Sequence, residues 1–135
     1  MKRRKGSRER FRGAALAEAA IVMMLLCMVT LGAVQYGWFF YCLHTATNAA
    51  RQGARVASVL DGSETDGDNA IKAALGGDTG LLYTKADIKK ATVSGTIVTG
   101  QVRIPTNDIA LLPGLDWLPL PAYCQNTVTM AKEGG

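Results

Sequence analysis

From residue 19 to residue 50 the chain carries no Asp, Glu, Lys or Arg, and residues 21–34 are almost wholly apolar. A run of that length predicts a membrane-spanning helix. A hydrocarbon core of roughly 30 Å takes about 20 residues at about 1.5 Å each. Counted from Ala19, that distance ends near Trp38, where Trp38, Phe39, Phe40 and Tyr41 stand together. Rings that are apolar in body and polar at the tip favour the membrane–water boundary, so the span is expected at about residues 19–40.

Beyond His44 the pattern stays helical but turns small. Ala46, Ala50 and Ala54 form one row, and Ala49, Gly53 and Ala57 a second. Such rows suit close packing against a sheet or another subunit's helix, although Ala is also simply the best helix former. The helix should stop near Leu60, because residues 61–69 are a run of turn formers. Asp68 or Asn69 is then expected to cap a short helix over 70–75 that ends at Gly76-Gly77. Between 88 and 105 the period shortens to that of strands, with Thr92, Val93, Thr96, Ile97, Val98, Thr99, Val102 and Ile104 broken by Gly95 and Gly100. This predicts two antiparallel strands. Pro105, Pro113, Pro119 and Pro121 impose an irregular stretch before a last strand at 126–131. The fold class that follows is α+β: a long N-terminal transmembrane helix extending into a small domain with an antiparallel sheet of about three strands. The expected division is a leader at 1–13, the helix at 14–60 and the small domain at 61–135.

Charge alters this picture at one end only. The whole chain carries +4, but seven Lys and Arg against Glu9 put +6 into residues 1–13 and leave −2 for the rest. The basic character belongs to a leader and does not argue for nucleic acid as a partner. After the span, only Arg51 and Arg55 occur within the next twenty residues. The asymmetry keeps the N-terminus in the cytoplasm and puts residues 45–135 in a periplasm-like space. Scattered cations such as Lys72, Lys85, Lys89 and Lys90 are expected on solvated faces, and so is the pair Arg51 and Arg55. An ordinary secretory signal has a shorter apolar core of roughly 7–15 residues, which this run exceeds.

A carboxylate just inside an apolar span needs an account. Glu18 lies at the cytoplasmic end, where it can snorkel to the interface. If a peptidase cuts after Gly13, however, Ala14 gains a free α-amino group and Glu18 becomes the fifth residue of the shortened chain. Within one helix the two lie roughly 6 Å apart along the axis, at about 1.5 Å per residue. Between staggered neighbouring chains they can pair directly, which neutralises the carboxylate and sets the stagger.

Gly13 followed by Glu18 and an apolar helix resembles the type IV pilin processing signal. The segment Thr47-Asn48-Ala49-Ala50-Arg51-Gln52-Gly53-Ala54-Arg55 resembles the Ala-Ala-Arg-Glu-Gly-Ala-Arg segment of TadE-like pseudopilins of tight-adherence pilus systems, with a weaker likeness in Thr127-Val128-Thr129-Met130-Ala131-Lys132-Glu133. The likeness covers residues 12–60 well and the remainder loosely. Many relatives place an aromatic after the glutamate and a proline several residues later, where this chain has Ala19 and an apolar stretch containing Met23-Met24. The resemblance implies a pilin-like fold and a minor subunit cut between Gly13 and Ala14 by a prepilin peptidase. Its partners would be other pilins and pseudopilins, the inner-membrane assembly platform and membrane lipid, in the bacterial inner membrane. Ala50, Arg51, Gly53, Ala54 and Arg55 would form the family-like helix motif. The competing reading is an uncleaved single-span protein whose outer domain binds a ligand or partner in a secretion system.

Catalytic chemistry has little to stand on. His44, the sole histidine, has no Ser, Cys or acidic partner at a recognisable spacing. No phosphate-binding loop, CxxC pair or zinc-type cluster occurs, and the acidic residues of 61–69 do not fit a calcium-binding EF-hand loop. No cofactor or metal is expected, and the chain is not expected to be an enzyme. Of three cysteines, Cys27 falls within the span while Cys42 and Cys124 fall outside it. An oxidising compartment permits a Cys42–Cys124 disulfide, worth on the order of 4–5 kcal/mol in the chain-entropy model where geometry allows.

Overall fold

The computed structural model describes residues 6–111 and 119–133. Residues 2–5 of the basic leader and Pro113 lie outside the described residues, as do the side chains of 6–12. The chain divides into two units, Met1–Val34 and Gln35–Gly135.

The long uncharged run forms one helix, α1, over Gly6–Ser58. In the first unit its side chains from Gly13 to Val34 are exposed except at Gly32. The second unit is α+β. Its part of α1 is followed by helix α2 (Glu64–Ala74), a short helix α3 (Leu81–Lys85), strand β1 (Ile88–Ser94), strand β2 (Ile97–Pro105), a single 3-10 turn at Thr106–Ile109 and strand β3 (Tyr123–Ala131). The three strands make one antiparallel sheet in the order β1-β2-β3. The β1–β2 connection is a two-residue turn in which Gly95 has φ +60° while Thr96 does not take positive φ. That places glycine where a tight hairpin of right-handed twist needs it.

Alternation sorts the sheet's two faces. Along β2, Val98, Gly100, Val102 and Ile104 are buried and the intervening residues are not. Register aligns Cys124 with Ile104, and Val128 with Gly100 and Ala91. Against this face lie Phe39, Cys42, Ala46, Ala49, Ala50 and Ala57 of α1, joined by Ile71 of α2 and by Leu75 at that helix's C-terminal cap. Small helix residues bring the backbones unusually close. A Cβ built on Gly100 would stand 2.2 Å from the Ala50 carbonyl oxygen and 3.1 Å from the Ala54 nitrogen.

Several boundaries differ from the expectation. Helix α2 begins at Glu64 rather than at residue 70, because Ser63 and Asp66 make a reciprocal capping box. The Ser63 hydroxyl accepts from the Asp66 N–H at 3.2 Å, and the Asp66 carboxylate accepts from the Ser63 N–H at 3.2 Å and from its hydroxyl at 2.5 Å. Asp68 is therefore not a cap. It sits inside α2 and accepts the Ala91 N–H at 2.6 Å, while Glu64 accepts the Val93 N–H at 2.7 Å. The two carboxylates cover N–H groups on the outer edge of β1, which an edge strand otherwise offers to any passing chain. Strand β3 begins at Tyr123 rather than 126, since pairing with β2 carries it back to Pro105.

Candidate processing and assembly surface

The residues of the expected processing signal lie in helical chain and are open to their surroundings. Gly13, Ala14 and Glu18 are exposed, and a Cβ added to Gly13 meets nothing within 4 Å. Ala15, Glu18, Ala19, Val22, Met23 and Leu26 share one side of the helix, so the carboxylate stands in an apolar stripe. The other sides are apolar too: Leu16, Ile21 and Met24 are 71%, 63% and 74% exposed. A helix apolar around its whole circumference needs a core or a bilayer to cover it, and among the described residues its side chains from 13 to 31 are all exposed. The helix is long and apolar enough to cross a membrane. Thr30 fits the same setting, because its hydroxyl donates to the Leu26 carbonyl at 2.8 Å and leaves no unpaired donor on an apolar surface.

The aromatic cluster is split rather than uniform. Phe39 is buried in the core of the second unit, and the Trp38 indole N–H donates to the Ile109 carbonyl at 2.7 Å. Tyr36 likewise donates to the Pro119 carbonyl at 3.1 Å. Phe40 and Tyr41 remain exposed. Two of the four rings expected at a membrane boundary therefore hold the domain together, because their positions on α1 face the sheet and its loops.

The family-like segment divides along helical lines. Ala50, Gly53 and Ala54 are buried, whereas Arg51 and Arg55 are exposed. Both small-residue rows are used within the chain. A Cβ on Gly53 would fall 2.4 Å from Ile71 Cγ1, and one on Gly67 would fall 2.5 Å from the Ala91 Cβ and 2.9 Å from the Gly53 carbonyl oxygen. Helix α2 thus crosses α1 glycine to glycine, while Gly100 lets β2 approach at Ala50 and Ala54. The arginines are left free to project outward.

Of the lysines expected on solvated faces, Lys85 and Lys90 are exposed, but two are engaged. Lys72 pairs with Asp78 at 2.6 Å, and that hydrogen bond raises its pKa. The Lys89 ammonium lies 3.9 Å from the Tyr83 ring centroid and donates to the Tyr83 carbonyl at 2.7 Å. Arg103 stacks over Tyr123 at 3.8 Å. Lysine and tyrosine frequency gave no signal for these pairs; strand register and the α3 turn create them.

Cys42 and Cys124 are wholly buried in the same core, while Cys27 is exposed on the apolar helix. Burial pushes the Cys42 thiol up to about 11, with the neighbouring Cys124 raising it further. Burial also pushes Cys124 up, offset in part by the Thr106 hydroxyl. His44 is exposed. No group of three or more metal-ligating side chains occurs among the described residues; in the acidic segment, Asp66, Glu64 and Asp68 are bound to backbone N–H groups instead.

These features define a class: a small α+β domain carried on a single long helix whose N-terminal part is apolar on every side, the form of a single-pass membrane protein. Residues 13–55 match the family model described as TadE-like protein. The match begins at Gly13 and ends at Arg55, in agreement with the resemblance over that stretch. No curated protein and no solved structure matches the chain significantly.

Proposed function

We propose that the chain is a pilin-like minor subunit, a pseudopilin, that acts in assembling a tight-adherence pilus after a prepilin peptidase cuts between Gly13 and Ala14. The observation that carries this reading is the coincidence of the TadE-like match with an uncovered apolar helix that has Gly13 at its head and Glu18 in its stripe. Residues 14–34, about 21 residues at about 1.5 Å each, reach roughly 31 Å, enough for the hydrocarbon core. The leader's positive charge keeps that end cytoplasmic, and the sheet domain lies on the other side of the inner membrane. Once cut, the α-amino group of Ala14 pairs with Glu18 of a neighbouring chain, and the apolar stripe around Glu18 gives the neighbouring helix its seat. Its partners are the peptidase, other pilins and pseudopilins and the assembly platform. Its role is structural rather than enzymatic.

Mass-spectrometric mapping of the N-terminus of the membrane-extracted protein tests the reading. A chain beginning at Ala14, and a full-length chain when the peptidase is deleted, are expected; an intact leader in peptidase-competent cells refutes it and leaves an uncleaved single-span protein. Glu18→Ala is expected to insert normally and to be cut, yet to reduce piliation. Normal piliation in that variant overturns the pairing role.

A further inference from the structure

Two hydrogen bonds set the register of α1 on β3. The Asn126 side-chain amide donates to the Thr47 hydroxyl at 2.9 Å, and the Glu133 N–H donates to the Ser58 carbonyl at 2.8 Å. Both elements therefore run in the same direction. Stepping back two strand residues from Asn126 covers about 6.6 Å, which corresponds to four or five helix residues at about 1.5 Å each. That step arrives at Cys124 on the strand and at residues 42–43 on the helix. Residues 124 and 126 share a sheet face because side chains alternate along a strand. Cys42 belongs to the buried face of α1 that includes Ala46, Ala49 and Ala50. Both cysteines are 0% exposed and belong to one core cluster, and the charge on one is felt by the other.

From this juxtaposition we infer that Cys42 and Cys124 are joined by a disulfide in the cell, tethering the C-terminal strand to the part of α1 on which the domain is built. The inference rests on the proposed placement of the domain outside the cytoplasm, where disulfides form and persist. The chemistry is thiol–disulfide exchange with a donor disulfide of an oxidoreductase. Each thiol gives up its proton, one S–S bond forms between the two Sγ atoms, and two electrons pass to the donor, whose own S–S bond breaks into two thiols that take up two protons. Neither sulfur is reachable once the core has closed. Exchange must precede the docking of β3, and the finished bond is shielded from reductant. It is a structural tether rather than a switch. It also spans most of the domain, since the loop it closes contains α2, α3, β1 and β2.

The experiment uses the full chain in its own membranes. Cells are quenched in acid, membranes are denatured in dodecyl sulfate, and thiols are tagged with a polyethylene-glycol maleimide with and without prior reduction. Cys27 acts as an internal control. One adduct without reductant and three after reduction are expected; two or three adducts without reductant overturn the inference, as does a reductant-sensitive dimer. Cys42→Ser and Cys124→Ser are each expected to show two adducts regardless of reduction, and if a variant fails to accumulate, the wild-type count still decides. Protease added to spheroplasts of the same cells reports where the domain lies. A digested domain with three free thiols overturns the disulfide alone, whereas a protected domain with three free thiols overturns both the disulfide and the proposed placement.

Discussion

Replacing Gly100 by alanine tests how the domain is built on its helix. The added methyl would sit 2.2 Å from the Ala50 carbonyl oxygen, with the Ala50 carbonyl carbon and the Ala54 nitrogen each at 3.1 Å. Carbon–oxygen contacts normally stop at about 3.3 Å, so α1 and β2 must part by about 1 Å. These are backbone atoms and no side-chain rotation relieves them. Overpacking of this kind costs about 1–3 kcal/mol, and more where the surroundings cannot give. Losing a glycine from a strand interior returns only about 0.5–1 kcal/mol. Because backbone atoms on both sides resist the shift, the cost falls at the upper end of that range, about 3 kcal/mol, and the net expectation is a loss of about 2 kcal/mol. For a unit of about 100 residues, each kcal/mol corresponds to roughly 4–8 °C, so Tm should fall by about 8–16 °C. The assay is thermal unfolding of the detergent-solubilised full chain followed by near-ultraviolet circular dichroism. Gly37→Ala is the control, because a Cβ at Gly37 of α1 meets nothing within 4 Å, and it should leave Tm unchanged or slightly raised. An unchanged or higher Tm for Gly100→Ala would refute the close approach of helix and sheet.

Ser63→Ala should destabilise the domain by about 1 kcal/mol through loss of the α2 cap, seen as a lower Tm in the same assay. The Ser63 hydroxyl and N–H hold the Asp66 carboxyl below the usual carboxylate range. A carboxylate with a depressed folded pKa adds stability above its unfolded value of about 3.9, and that stability is lost as pH falls through the folded value. Asp66→Asn should therefore flatten the acid limb of a stability–pH profile, and an unaltered limb would argue against the capping box in solution. Arg51→Ala combined with Arg55→Ala should shift stability by no more than about 0.5 kcal/mol, since both side chains are exposed. A pilus-assembly defect in that otherwise stable variant would mark the outward arginines as an intermolecular contact, whereas a large fall in Tm would show that they support the fold.

The local chemistry of the chain was enough for its overall plan. An uncharged run too long for a secretory signal, turn formers at 61–69, glycine at 95 between β-branched residues and six net positive charges before Gly13 each act over a few neighbouring positions. The helix, the break and the hairpin follow from them without reference to distant parts of the chain. The likeness over residues 13–55 was legible for the same reason. The cap of α2 was missed although its signal was present, because Asp stands three residues after Ser63 where Glu or Gln is the commoner partner.

Other features depended on how the sheet registers against α1, which no local pattern encodes. Alanine and glycine at helical spacing could equally have met another subunit. Their use against Ile71, Gly67 and Gly100 of the same chain follows from where α2 and β2 cross the helix. Trp38 and Phe39 have the composition of a membrane boundary, yet one hydrogen-bonds to Ile109 and the other packs in the core, because their angle on α1 turns them toward the domain. Cys42 and Cys124 are some eighty positions apart in sequence and become neighbours only through the pairing of β3 with β2 and its alignment along the helix. Contacts of that range depend on every intervening turn closing correctly. For that reason the hydrophobic pattern foretold which elements form, and the packing of those elements assigned each small residue, ring and thiol its neighbour.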